Sequence, residues 1–178
     1  MALTLTKNVW SSLLDWAYDK ALKGGSGMDK ASELAMRYSD PTLTIHQQVD
    51  ALISRQKILA GSSGFITGFG GIMAMPFTIP ANFASVLFIQ IRMIAAIAYI
   101  GGFNLEDKEV KQLIIACMAG NAAKDVGFTI LRRYRGKGII NLGKGIPLAG
   151  GIIGGSIDVA TTAVLGRIAR MTFIEKAS

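Results

Sequence analysis

The amino-acid sequence predicts an all-α protein: a compact helical bundle with a long apolar, glycine-rich helical hairpin, peripheral to a membrane or partly inserted in it. Three observations carry this expectation. Apolar residues recur at three- and four-residue spacing in the charged segments, and no strand-like alternation holds for long. Residues 58–91 contain no charged side chain and no histidine. Glycine is abundant, at 21 residues, while proline is scarce, at 4, a balance that suits tight turns and close helix packing better than a disordered chain.

The 178 residues make one domain, long enough to bury a core. Within it, residues 1–57 read as amphipathic helices and 58–100 as the apolar hairpin. Residues 101–178 read as a helix, a basic loop and a C-terminal apolar helix. The first helix is expected over 6–22, with Val9, Trp10, Leu13, Ala17 and Ala21 inward and Asn8, Ser11, Ser12, Asp15 and Asp19 outward. The glycines at 24, 25 and 27 end it, because glycine enters the left-handed region that closes helices. A short second helix covers 28–37, and Ser39, Asp40 and Pro41 break the chain. Thr44 followed by Gln47 resembles a capping box that starts a third helix through Val49, Leu52, Ile53 and Ile58.

The character then changes. Pro76 and Pro80 divide the uncharged run, and residues 80–100 read as one helix with proline in its first turn. It is apolar nearly all round, so it belongs either in the centre of a bundle or in lipid. Gly101 and Gly102 end it. Asn104 and Asp107 cap the next helix, which turns Val110, Leu113, Ile114, Cys117 and Met118 inward. The final helix is expected after Gly151, ending near Phe173.

A bilayer core needs about 20 apolar residues in a helix. Residues 80–100 put Arg92 near the middle, and residues 146–166 put Asp158 in the interior. Each is a poor lone span, since a charge at the bilayer centre costs on the order of 3 kcal/mol. A buried Arg92–Asp158 pair would resolve both. Close helix packing, or insertion, is expected at Gly61, Gly64, Gly68 and Gly71 and at Gly150, Gly151, Gly154 and Gly155, several of which are four apart. Such spacing also admits a homo-oligomer.

The charge of +7 is unevenly placed. Residues 1–57 carry seven basic and six acidic side chains. Between Val126 and Ile157 the charges are Arg132, Arg133, Arg135, Lys137 and Lys144, with no acid among them. Each such cation near an anionic leaflet contributes about 1 kcal/mol. An anionic phospholipid membrane is therefore the expected partner, with Trp10 and Trp16 placed to meet its headgroups. Nucleic acid is not expected, because Tyr134 is the sole aromatic among these cations.

No catalytic constellation emerges. Gly138 to Lys144 fits the first seven positions of a phosphate-binding loop, but Gly145 stands where Ser or Thr must hold magnesium, and no strand precedes it. His46 and Cys117, one of each and far apart, cannot close a zinc site. Glu106, Asp107 and Glu109 suit a helix N-terminus. Cys117 has no partner for an internal disulfide and reads as a small core residue. Neither enzyme activity, a metal nor a cofactor is expected. The N-terminus lacks the apolar run of a secretory signal, which implies a cytoplasmic protein.

Read as consecutive words, the chain resembles the EcsC family. The words are Gly64-Phe65-Ile66-Thr67-Gly68-Phe69-Gly70-Gly71, Ile79-Pro80-Ala81-Asn82, Gln90-Ile91-Arg92-Met93-Ile94-Ala95-Ala96 and Gly102-Phe103-Asn104-Leu105, then Gly138-Ile139-Ile140-Asn141-Leu142, Ile146-Pro147-Leu148-Ala149-Gly150-Gly151, Ile157-Asp158 and Gly166-Arg167-Ile168-Ala169. It departs from the family's pattern at 121–135, where members carry a longer stretch. The resemblance implies a bacterial helical protein at the cytoplasmic membrane, named after a gene beside an ABC-transporter operon, with no established biochemical activity. It also implies a distant likeness to the senescence domain of plant and animal proteins on lipid droplets and membranes. The function expected is non-enzymatic membrane or lipid binding through the hairpin and the basic loop. The alternatives are a membrane-inserting, pore-forming effector of the toxin or phage-defence type and, more weakly, an accessory subunit of a membrane transporter.

Overall fold

A computed structural model describes residues 7–24, 27–61, 81–119 and 159–175. Along them run α1 (Lys7–Lys23), α2 (Ala31–Tyr38), α3 (Ile45–Gly61), α4 (Ala81–Ile100), α5 (Lys108–Ala119) and α6 (Val159–Arg170), the last continuing into a π-helical turn (Met171–Glu175). The protein is an all-α bundle, and one core draws on all six helices.

The local signals act as the sequence leads one to expect. Gly24 takes φ +75° and its N–H reaches the Lys20 carbonyl, ending α1. Thr44 Oγ1 accepts from the Gln47 N–H at 3.3 Å, and Gln47 Oε1 accepts from the Thr44 N–H at 2.9 Å, so the box that opens α3 closes in both directions. Past α4, Gly102 takes φ +82°; its N–H bonds the Tyr99 carbonyl, and that of Phe103 bonds Ala98. This is the two-bond closure of a helix that only glycine forms without strain. It swings Phe103 edge-on to Phe173, with ring centroids 5.1 Å apart.

Four details differ from the sequence expectation. In α1 the buried face is Leu13, Leu14, Ala17, Tyr18 and Ala21, and Trp16 packs half-buried against the core. Tyr18 goes inward because its hydroxyl finds the Leu105 carbonyl. Helix α2 starts at Ala31, since Glu33 accepts from the Lys30 N–H at 3.0 Å and fixes the first turn there. In α3 Ile58 is 61% exposed; the inward row Val49, Leu52, Ile53 continues through Gln56, one turn on. The last helix widens at its end, where the Thr172 hydroxyl donates to the Ile168 carbonyl at 2.7 Å and competes with the backbone ladder.

Helix α4 is the axis of the molecule. It touches every other described helix and the π-helical turn, and residues 87–98 are buried without interruption. Of the two environments its apolar circumference allows, the fold supplies the protein one. None of the described helices is long and apolar enough to cross a membrane.

Helices α3 and α6 lie antiparallel, with Gly61 against Val159, Ile53 against Gly166, and Asp50 paired with Arg170 at 2.7 Å. A β-carbon on Gly61 would sit 2.6 Å from Val159 Cγ2, so Gly61 does permit a close helix approach. Helix α6 runs parallel to α4, because Gln90 meets Thr162 near one end and Gly101 meets Phe173 at the other. Consequently the C-terminal end of α3 at Gly61 and the N-terminal ends of α4 at Ala81 and α6 at Val159 lie toward one end of the bundle.

Candidate functional site

The buried polar residues of α3 and α4 locate the site. Gln56 is fully buried and Arg92 is 3% exposed. Arg92 Nη2 donates to Gln56 Oε1 at 3.1 Å, Nη1 reaches the Asp29 carbonyl at 3.4 Å, and the guanidinium carbon stands 5.4 Å from the Phe88 ring centroid. Arginine can only donate, so Gln56 must turn its oxygen to Arg92 and keep its amide nitrogen for something else. That nitrogen and Arg92 Nε are buried and have no hydrogen-bond partner among the described residues.

Both side chains line a cleft of about 160 Å³ between α2, α3, α4 and the turn at Gly27–Asp29, which also exposes Arg37 and Arg55. The one lining carboxylate, Asp29, is engaged by Arg37 Nη2 at 2.6 Å. Burial pushes the pKa of Arg92 down to about 10, with Asp29 partly offsetting the effect. The group stays cationic at neutral pH. The cleft therefore gathers three guanidinium groups against one carboxylate that is already paired, and it holds two buried donors in reserve.

Residues singled out on chemical grounds lie elsewhere. His46 is exposed in the first turn of α3. Cys117 is buried, 3.8 Å from Thr172 Oγ1, and burial pushes its thiol up to about 12. Asp107 and Asn104 bond each other at 3.1 Å ahead of α5. Among the described residues no group of three or more His, Cys, Asp or Glu is placed to hold a metal ion.

Of the residues expected to meet lipid, Trp16 packs against the core, while the side chain of Trp10 lies outside the described residues. So do Arg132, Arg133, Arg135, Lys137 and Lys144, together with Gly64, Gly68, Gly71, Gly150, Gly151, Gly154 and Gly155. Arg92 is buried, with Gln56 and the Asp29 backbone as its described partners; Asp158, expected to pair with it, lies outside the described residues. The sequence reading missed Gln56. Its signal was present: a polar residue seven positions after Val49 continues an inward row.

The model of the EcsC protein family matches residues 13–135, well over half of the chain and the whole of the Arg92 cleft. The chain belongs to the EcsC protein family. No curated protein and no solved structure matches it.

Proposed function

We propose that this EcsC-family chain is a non-enzymatic protein that attaches to anionic phospholipid membrane. The apolar residues 62–80 and the basic set Arg132, Arg133, Arg135, Lys137 and Lys144 make the attachment. The observation that carries the reading is the topology at one end of the bundle. Helix α3 ends at Gly61, α4 begins at Ala81, and α6 begins at Val159, which packs on Gly61. Residues 62–80 are without charge, and the stretch that leads back to Val159 holds the basic set. In sequence, the uncharged stretch follows α3 and the basic stretch precedes α6, whose facing ends meet at Gly61 and Val159; apolar and cationic residues together are the combination that binds an anionic bilayer surface. Helix α4, enclosed by its neighbours, serves as scaffold for them.

Vesicle co-sedimentation tests the reading. Changing Arg132, Arg133 and Arg135 to Ser together removes about 3 kcal/mol of attraction to an anionic leaflet, a loss of roughly a hundredfold in binding. Unchanged binding to phosphatidylglycerol vesicles would refute the role of the basic set. Washing membranes of expressing cells separates two modes. Release by high salt assigns most of the attachment to the cations, and retention through carbonate assigns it to the apolar residues.

A further inference from the structure

We propose that the Arg92 cleft is a binding site for a phosphoryl group, presented as a small phosphate ester or as a phospholipid headgroup. Such a site is independent of membrane attachment. Arg92 is almost fully buried on the central helix, and its described hydrogen-bond partners are an amide oxygen and a backbone carbonyl, both neutral. A buried cation without a carboxylate is costly, and its neighbourhood sharpens the anomaly. Arg37 and Arg55 line the same cleft, and Asp29 is committed to Arg37. Among the described residues the valences left open here are all donors, Arg92 Nε and Gln56 Nε2. A ligand rich in acceptor oxygens and carrying negative charge satisfies donors and charge together.

Size and shape narrow the class. At about 160 Å³ the cleft falls below the roughly 300–1,000 Å³ of sites that enclose whole small molecules. It admits a head group and leaves the remainder outside. A carboxylate offers two oxygens, whereas the guanidinium groups of Arg55 and Arg92, the Gln56 amide and the remaining donors of Arg37 fit the larger acceptor set of a phosphate. Leu34, Leu59 and Tyr38 supply an apolar wall for the ester's organic part. Leu59 is two residues from Gly61, the last residue of α3, so a headgroup held here would lie toward the α3 end that precedes the uncharged residues 62–80 in the sequence.

An anion that binds the folded chain and not the unfolded one raises its melting temperature. The full chain is titrated with inorganic phosphate, with glycerol 3-phosphate, and with vesicles of phosphatidic acid in phosphatidylcholine, at constant ionic strength against chloride. Melting temperature and calorimetric heat are followed. Saturable stabilisation by phosphate beyond that by chloride is expected. Because Arg92→Leu endangers the fold, two milder variants carry the test. Arg55→Gln, at the rim, weakens phosphate about tenfold. Gln56→Glu places a carboxylate against Arg92; it melts higher than wild type without phosphate and no longer responds to it.

A response to glycerol 3-phosphate assigns the site to free esters. A response confined to phosphatidic acid vesicles and lost in Arg55→Gln assigns it to headgroups. The Arg132/Arg133/Arg135→Ser variant keeps its response to soluble phosphate either way, which separates this site from the proposed membrane attachment. The proposal fails if wild type answers none of the three probes beyond chloride, or if both cleft variants respond like wild type. It fails also if Asp158→Asn creates a phosphate response that wild type lacks, since the chain's own carboxylate would then fill the cleft.

Discussion

Gly166 on α6 faces Ile53 on α3 so closely that a β-carbon at 166 would stand 2.8 Å from Ile53 Cγ2. The antiparallel crossing of these helices is set by that approach, as it is at Gly61 and Val159. Gly166→Ala gains up to about 1 kcal/mol of helix propensity and loses more by overpacking, for a net destabilisation of about 1–2 kcal/mol. Ile53→Val removes the Cδ1 methyl that also crowds the site, so it recovers part of that loss in the double mutant. Urea denaturation of the three variants measures the coupling; strictly additive effects would contradict the contact.

Tyr18 crosses the core to donate its hydroxyl to the carbonyl of Leu105, the turn residue that α5 follows. Tyr18→Phe keeps the ring and strands the carbonyl. A loss of about 1–3 kcal/mol is expected, read as a lower urea midpoint at unchanged slope.

Gln90 Nε2 donates to Thr162 Oγ1 at 3.1 Å, while Gln90 Oε1 is buried without a partner among the described residues. The two partners are therefore unequal. Thr162→Val leaves both polar atoms of Gln90 unmet and costs about 1–3 kcal/mol. Gln90→Leu removes the unmet oxygen with the rest of the amide and costs less, so the order of the two melting temperatures checks the arrangement.

Burial raises the Cys117 thiol to about 12 from an ordinary value of 9.0, and the Tyr18 phenol to about 12 from 10.0. A raised acid contributes stability that is complete below its unfolded-state pKa and is lost as pH climbs towards the folded one. Wild type should begin to lose stability above about pH 9. Cys117→Ala, though less stable overall, should show a flatter profile between pH 9 and 10, where the thiol is the first of the two to respond. Denaturant melts across that interval decide the matter. An aromatic disulfide reagent should label Cys117 only as fast as the protein opens.

The elements that declared themselves in the sequence are those with a single local cause. The Thr44–Gln47 box, the Gly102 closure and the inward row of α5, from Val110 to Met118, all lie where residue type and spacing put them. What stayed hidden needed a second helix to give it meaning. Tyr18 looks like a surface aromatic until the Leu105 carbonyl is brought to it. Arg37 and Arg55 look like solvated charge until Arg92 arrives beneath them. Helix α4 offered no periodicity to read, because a helix apolar on every side specifies burial without specifying what does the burying. The cleft was thus half legible: Arg92 stood out against its apolar surroundings, and Gln56 continued the inward row of α3, but nothing in one dimension brought the two together.

The enclosure of α4 also bears on the order in which the protein can be made. Helices α1 to α3 precede it in the chain, yet α1 and α2 pack mainly upon it, α3 packs upon it and upon α6, and the Tyr18 hydroxyl waits for a carbonyl 87 residues downstream. A nascent chain that has just released α3 from the ribosome holds three amphipathic helices with no common core, and an uncharged stretch emerges next. Such a chain stays exposed to chaperones, or to a nearby bilayer, until α4 has cleared the exit tunnel. The three leading helices thus gain their shared core only once α4 is present, so folding of this chain is expected to follow the appearance of α4 and not to proceed helix by helix.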